Sequence, residues 1–260
     1  MKKRVLALAL TALMCMGVVG LTGCGGQGSA DAYVDDTAMT TIARGYEKRS
    51  DYSSSHDTNS SKGLKAAVQA EIDNDAELKD AKFEDSKMQE TVIAYLNSLD
   101  AQMEVLNQNE YGTWDYIEAW SKAYDKRSQI LKTMVDEYDL KVGDKYKDEF
   151  ADIVANGTAV SKKAGIEDAL NTLFKNAKWE KKDDGYGSCT YVAVIKNTTD
   201  YNFKTVSLNV GVYDKDDVKT DNYASVNNWK KGEKAKFEVY TDDIDVDRLE
   251  AVVDWYELAE

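Results

Sequence analysis

The clearest helical signal in the chain lies in residues 113–139, TWDYIEAWSKAYDKRSQILKTMVDEYD. The apolar residues of this segment recur every three or four positions, which is the spacing of one face of an amphipathic helix. They are Ile117, Trp120, Tyr124, Leu131, Met134 and Tyr138. Arg127 occupies the remaining position of this face. We therefore expect a long helix that packs against its neighbours through these residues.

Arg127 is unusual because a charged side chain on an apolar face is rarely buried without a partner. One interpretation is that Arg127 binds an anion inside a helical bundle. The other is that it pairs with an acidic residue of the preceding helix, and Glu90, Asp100 and Glu104 are the candidates. We favour the pair, since a long Arg side chain reaches such partners readily.

Helical periodicity covers the N-terminal part of the chain from about residue 36 to residue 177. A weak helix precedes residue 52, a second spans 64–72, and a third spans 86–109 with Asp85 or Ser86 as its N-cap. Two shorter helices are expected after residue 143. Successive helices joined by short turns predict a helical bundle.

The periodicity changes to that of β-strands near Trp179. Residues 206–212 alternate between apolar and small or polar side chains, as a half-buried strand does. Residues 191–195 form a continuous apolar run, and residues 234–239 and 249–255 alternate again, with Trp255 on the apolar side. Short strands with polar turns and no intervening helix predict an antiparallel β-sandwich. The predicted fold class is α+β, a helical bundle followed by this sandwich, and we expect residues 178–260 to fold independently.

One segment of the sandwich resembles a known family. Val210-Gly211-Val212-Tyr213-Asp214 is similar to the name motif of the FxLYD domain of Gram-positive surface lipoproteins, with Val in place of its Phe and Leu. Asn197 and the Gly232-Glu233 pair ahead of Phe237 match two further family positions. The resemblance implies an immunoglobulin-like sandwich in a surface module with an unknown ligand and no established enzymatic activity.

The N-terminus predicts export. Three basic residues, Lys2 to Arg4, precede a short apolar run, and Leu21-Thr22-Gly23-Cys24 resembles the lipobox of bacterial lipoproteins. That resemblance implies cleavage before Cys24, a diacylglycerol on its sulfur and usually an acyl chain (palmitate) on its amine. The alternative is an ordinary secretory signal with an incidental cysteine. The expected organisation is a signal peptide at 1–23, a flexible tether at 24–35, a helical domain at 36–177 and a β-sandwich at 178–260.

The charge of the mature chain argues against a nucleic-acid partner. Removing residues 1–23 takes away three of 33 basic residues and none of 47 acidic ones, which leaves 30 − 47 = −17. Nucleic-acid binding needs clustered Lys and Arg, so no nucleic-acid partner is expected. Cys24 would be lipidated and Cys15 removed, so Cys189 would have no cysteine partner within the chain.

Few residues suit catalysis or metal binding. His56 is the only histidine, and it lies in the polar segment Ser53–Asp57, where adjacent residues do not make a catalytic triad. One His and one Cys cannot supply a structural zinc site. Asp243, Asp245 and Asp247 have the alternating oxygens of a calcium loop, but Arg248 replaces the required Gly. No cofactor and no metal are expected, and calcium at this acidic turn stays an open alternative.

Taken together, the sequence predicts a protein on the extracytoplasmic face of the cell membrane, held there by lipid. Its expected role is non-catalytic binding or scaffolding, with a protein or a cell-wall polymer as partner. The alternative is a hydrolase of wall polymer that uses a pair of carboxylates and no histidine. A pocket with converging carboxylates would favour the hydrolase, and a flat aromatic or apolar patch would favour the binding module.

Overall fold

Five α-helices come before six antiparallel strands in the residues that the computed structural model describes, which are 33–185, 187–241 and 245–259. The helices are α1 (Asp35–Ser55), α2 (Ser61–Asp75), α3 (Ser86–Gln108), α4 (Trp114–Tyr138) and α5 (Lys147–Lys175). The strands are β1 (Glu180–Gly185), β2 (Ser188–Lys196), β3 (Phe203–Asp214), β4 (Lys219–Trp229), β5 (Lys234–Thr241) and β6 (Val246–Leu258). This order confirms the predicted fold class.

Side-chain caps set where the predicted helices begin. The Asp85 carboxylate accepts hydrogen bonds from the backbone N–H groups of Lys87 and Met88, at 2.8 and 3.2 Å, which confirms Asp85 as the N-cap of α3. Thr113 caps α4 in the same way by accepting from the N–H of Tyr116 at 3.3 Å. At the other end of α4, Asp139 adopts a left-handed conformation with φ 56° and stops the helix.

The buried face of α4 differs from the predicted one in its first turns. Ile117 was expected in the core, but half of its surface is exposed (50%). Tyr116 is buried instead and packs against Val68 of α2 and Leu106 of α3. The face is therefore rotated by one residue at the start of α4, because its first turn packs at the α2–α3 end of the bundle.

The last helix, α5, is one continuous element of 29 residues rather than the two shorter helices that were predicted. Its first half contributes Phe150 and Ile153 to the bundle core. Its second half contributes Ile166, Leu170 and Phe174 to the core of the β-sandwich. The two hydrophobic cores therefore meet within α5, and the last turns of this helix form part of the sandwich core.

The strands form two three-stranded antiparallel sheets in the described residues, with orders β1-β2-β5 and β4-β3-β6. Val206, Leu208, Val210 and Val212 all lie between 0 and 4% exposed, which confirms the predicted alternation of β3. They belong to the same hydrophobic cluster as Phe237 and Val239 of β5 and Leu170 and Phe174 of α5. The ring of Phe174 lies 5.0 Å from that of Phe237 on β5, measured between centroids.

Asn197, one of the residues that carry the family resemblance, has a structural role at the crossing from β2 to β3. It is fully buried, and its amide group donates to the carbonyl oxygens of Tyr201 at 2.8 Å and Trp229 at 3.3 Å. Its side-chain oxygen accepts from the N–H of Thr199 at 3.0 Å. These bonds satisfy backbone groups that the crossing would otherwise leave unpaired.

A β-bulge in β6 reverses the predicted direction of Trp255. Along β3, Ser207 pairs with Trp255 and the next residue, Leu208, pairs with Val253, so Asp254 is an extra residue in β6. An extra residue shifts the alternation by one position, and side chains beyond it change faces. Trp255 therefore points out of the sandwich with 51% of its surface exposed, and Tyr256 packs inward against Phe203.

Candidate functional site

A cluster of buried polar side chains lies at the centre of the helical bundle. Glu71 of α2 is fully buried, and its Oε1 accepts hydrogen bonds from Tyr95 Oη and from an Arg127 terminal nitrogen, both at 2.5 Å. Its Oε2 accepts from Arg49 of α1 at 2.9 Å. Arg49 also donates to the side-chain oxygen of Gln102 on α3 at 2.7 Å. One carboxylate thus joins residues from four helices.

This arrangement corrects the predicted partner of Arg127. The preferred interpretation, an ion pair within the bundle, is right in kind, but the partner is Glu71 of α2 rather than Glu90, Asp100 or Glu104 of α3. Burial opposes ionisation of Glu71, but the charges of Arg127 and Arg49 outweigh it and hold the pKa of Glu71 below its usual value. Glu71 therefore remains ionised in the core, where the two guanidinium groups compensate its charge.

A second carboxyl group, that of Asp75, lies one helical turn beyond Glu71 and is also fully buried. Its Oδ1 accepts from the Asn74 amide at 3.0 Å, and its Oδ2 has no hydrogen-bond partner among the described residues. Burial raises the pKa of Asp75 to about 8, and the negative charge of Glu71 adds to this rise. The carboxyl group fits against Gly45 of α1, where a Cβ atom would stand 2.5 Å from it.

A cavity of about 320 Å³ opens next to this cluster, between α1, α4 and α5, and we refer to it as the bundle cavity. It is lined by Tyr46, Arg49, Ser50, Ser53, Tyr124, Arg127, Glu149, Asp152 and Ile153. Two buried atoms of its lining, Tyr46 Oη and Arg127 Nε, have no hydrogen-bond partner among the described residues. Glu149 and Asp152 are exposed, so the acidic part of the lining faces solvent.

A second candidate site is the outer surface of the β4-β3-β6 sheet. Two rows of paired residues cross its middle, one formed by Tyr223, Asn209 and Val252, the other by Ser225, Ser207 and Trp255. Tyr223, Val252 and Trp255 expose 65, 55 and 51% of their surfaces. We call these two rows the aromatic face. It combines two exposed aromatic rings with small polar side chains on one side of a sheet.

Charged residues border the aromatic face, and Asp254, the extra residue of the β6 bulge, is exposed between Val252 and Trp255. On one side the next rows carry Asp221 with Glu250, and then Lys219 with Arg248. Several of these charges pair with one another, as Lys219 does with Asp221 at 2.6 Å. The two rows themselves contain no charged side chain, and Asp254 adds one exposed carboxylate directly beside Trp255 in β6.

His56, the only histidine, takes part in the end of α1. Its Nδ1 lies 2.9 Å from Ser55 Oγ and 3.2 Å from the carbonyl oxygen of Tyr52. The Ser55 hydroxyl donates to the carbonyl oxygen of Asp51 at 2.7 Å. A protonated Nδ1 that donates to a carbonyl oxygen cannot also receive a proton from serine. The Ser55–His56 contact is exposed at a helix end, and no carboxylate is in hydrogen-bond contact with the His56 ring among the described residues.

The remaining candidate residues from the sequence are Cys189 and the aspartates of the acidic turn. Cys189 is buried on the inner face of β2, with 1% of its surface exposed. Asp243 falls outside the described residues, Asp245 accepts from Lys215 at 3.1 Å, and Asp247 lies 3.9 Å from Arg248. Within the described ranges, no group of three or more His, Cys, Asp or Glu side chains is placed to hold a metal ion.

The signal peptide and the lipidation site, Met1 to Cys24, also lie outside the described residues. Within the described ranges, every helix is too short or too polar to cross a bilayer. Among the aromatic residues outside the aromatic face, Trp114 and Tyr240 are exposed, and Trp229 is buried in the sandwich core. The exposed pair provides comparison positions for the aromatic face.

Comparison with known proteins adds no family assignment. No protein-family model matches the chain, and no curated protein matches it at a significant level. The two candidate sites are therefore interpreted from their own geometry.

Proposed function

We propose that this chain is a lipid-anchored protein on the extracytoplasmic face of the cell membrane that binds a neutral wall polymer without cleaving it. The lipobox-like sequence at Cys24 supports the location. The resemblance to the FxLYD domain supports a surface binding module. The aromatic face carries the proposal, because it presents exposed rings on a rigid sheet.

The composition of the aromatic face favours a carbohydrate polymer. The rings of Tyr223 and Trp255 offer apolar surfaces with a polar edge, which suit the CH faces of sugar rings. Asn209, Ser207 and Ser225 supply amide and hydroxyl groups beside those rings, where they can exchange hydrogen bonds with sugar hydroxyls. Protein–protein interfaces are depleted in Ser, so these residues favour a glycan over a protein.

The size and charge of the face define the polymer further. Tyr223 and Trp255 flank β3 on opposite sides and pair with residues two positions apart on it. Standard strand dimensions place their Cα atoms about 12 Å apart. A single sugar cannot contact both rings, whereas a chain can. The two rows carry no charge, and the carboxylate of Asp254 beside Trp255 disfavours an anionic group, so a polymer segment without anionic groups is favoured.

The arrangement of reactive groups supports binding rather than catalysis. Both Glu71 oxygens accept hydrogen bonds in the core, and Ser55 donates to a backbone carbonyl oxygen. The two rows of the aromatic face contain no carboxylate, and the bulge between them contributes a single one, that of Asp254. A hydrolase would need a pair of carboxylates on both sides of the bound polymer.

Co-sedimentation with protein-free cell wall tests this proposal. Trp255→Ala and Tyr223→Ala should each lower the affinity of the purified chain by at least about tenfold, as truncation of a central aromatic contact does. The matched controls are Trp114→Ala and Tyr240→Ala, which remove rings that are 76 and 66% exposed elsewhere on the chain. Binding should persist at high salt, because no charge pairs form.

Equal losses in the control variants would contradict the proposal. So would cross-linking on intact cells that captures a protein at Trp255 instead of wall material. Release of new reducing ends from the wall during incubation would favour the hydrolase.

A further inference from the structure

The bundle cavity holds buried donor groups that no described residue uses. Arg127 has 1% of its surface exposed and Tyr46 has 3%. Arg127 donates through a terminal nitrogen to Glu71, but its Nε–H has no partner among the described residues. The same holds for the Tyr46 hydroxyl, and the Arg127 guanidinium lies 5.7 Å from the centre of the Tyr46 ring. Leaving such groups without a partner is costly, so a ligand oxygen would be favoured there.

The inner end of the bundle cavity also carries an excess of positive charge. Arg49 and Arg127 are both charged, and Glu71 compensates one of these charges. Asp75 adds no full negative charge at neutral pH, since its pKa is raised to about 8. An uncompensated buried guanidinium is unfavourable unless an anion pairs with it. A carboxylate bound against Arg127 would supply that charge.

The outer end of the bundle cavity has the opposite character. Glu149 and Asp152 of α5 line it, and both are exposed. Glu149 is held in place by the Ser50 hydroxyl, which donates to its Oε2 at 2.5 Å. Two exposed carboxylates in the lining favour a cation at this end of the cavity.

We propose that the bundle cavity binds a small zwitterion of the amino-acid class, with its carboxylate at Arg127 Nε and the Tyr46 hydroxyl and its ammonium group at Glu149 and Asp152. The remaining walls, Tyr124 and Ile153, contact the ligand's side chain. The volume of about 320 Å³ lies at the small end of the range of ligand pockets. This binding site is separate from the aromatic face and does not depend on it.

Titration calorimetry on the purified full chain tests the proposal. Pools of free L-amino acids are the first probes, and the tightest-binding amino acid is then compared with its methyl ester and its N-acetyl derivative. The ester removes the carboxylate and the acetyl group removes the ammonium charge. Each derivative should bind at least about tenfold more weakly, since each loses a charge-assisted hydrogen bond.

Two variants localise the binding. Tyr46→Phe keeps the ring and removes the hydroxyl, and it should weaken binding by about threefold to tenfold. Glu149→Gln changes an exposed residue and should weaken binding with the same sign. Asp148→Asn is the matched control, because Asp148 is an exposed neighbour on α5 that does not line the cavity. Circular dichroism and thermal melts of all three variants identify any loss of folding.

Several results would overturn the proposal. The first is the absence of binding by any pool at millimolar concentration. The second is equal affinity for the free amino acid and its methyl ester. The third is unchanged affinity in folded Tyr46→Phe and Glu149→Gln.

Discussion

Replacing Asp75 with Asn should remove a specific pH dependence from the stability of this protein. Asp75 is fully buried, and its pKa is about 8 in the folded state, against an ordinary value of 3.8. Between these two values the folded chain holds one proton more than the unfolded chain. Stability therefore decreases as the pH rises through this window and is constant above it.

The size of this pH effect on stability follows from the shift in the pKa of Asp75. Each pH unit within the window costs about 1.4 kcal/mol of unfolding free energy, so the interval from pH 5 to pH 7 costs about 2.7 kcal/mol. Asn is neutral throughout and can still accept the hydrogen bond from the Asn74 amide. The variant should thus gain stability relative to the parent chain as the pH rises, up to about pH 8. The lowered pKa of Glu71 acts in the opposite direction, but only below its ordinary value of 4.5.

Urea unfolding of parent and variant at half-unit steps from pH 5 to pH 8.5 measures this difference. Asp73→Asn is the control, because it removes the same charge from an exposed position of α2. A difference between Asp75→Asn and the parent that does not change with pH would refute the argument. So would a variant that is less stable than the parent throughout the range.

Three further predictions concern the anchor and the sandwich. Cys24→Ala should abolish labelling with palmitate and partitioning into detergent, and a variant that stays on salt-washed membranes would disprove the lipid anchor. Val212→Asp places a carboxylate in the core and should cost more than about 3 kcal/mol by urea titration, whereas Asn209→Asp on the outer face should cost less than about 0.5 kcal/mol. Equal losses of stability in the two variants would contradict the assignment of Val212 to the inner face and Asn209 to the outer face of β3. Phe174→Ala should destabilise the sandwich by about 3–5 kcal/mol, and residues 178–260 alone should melt at lower temperature than a fragment that includes all of α5. Equal melting temperatures of the two fragments would show that the sandwich does not need α5 for its stability.

Periodicity identified the elements whose apolar residues are regularly spaced. The alternation in β3 and the caps of α3 depend on local sequence, so both could be predicted. The strands β1 and β4 could not, because β1 is almost entirely polar and exposed and β4 exposes most of its residues. An edge strand of this kind leaves little hydrophobic pattern to detect.

Features that depend on packing between distant segments were missed. The division at residues 177 and 178 follows the change from helix to strand, but the side chains of Ile166, Leu170 and Phe174 pack with the strands. The partner of Arg127 was also missed. The sequence did contain a signal for this partner. Ala67, Glu71 and Asp75 are spaced four residues apart on α2, and all three face the bundle core. The acidic pair was not recognised because buried carboxylates are rare.

The direction of the Trp255 side chain is a further feature that depends on pairing between distant segments. Strict alternation places it inward, and only the pairing of β6 with β3 reveals the extra residue Asp254. A bulge depends on register between strands, which a single sequence does not display. The aromatic face was therefore not predictable from the sequence, although a flat aromatic patch is the feature expected of a binding module.

The most direct test of the proposed function is calorimetric titration of the intact chain with neutral wall-glycan fragments of increasing length. Tyr223 and Trp255 lie about 12 Å apart by strand geometry, so affinity should rise sharply once a fragment is long enough to contact both rings. Trp255→Ala should abolish that rise, and Trp114→Ala should preserve it. Affinity that is independent of fragment length, or a length dependence that survives in Trp255→Ala, would contradict recognition of a wall polymer by the aromatic face.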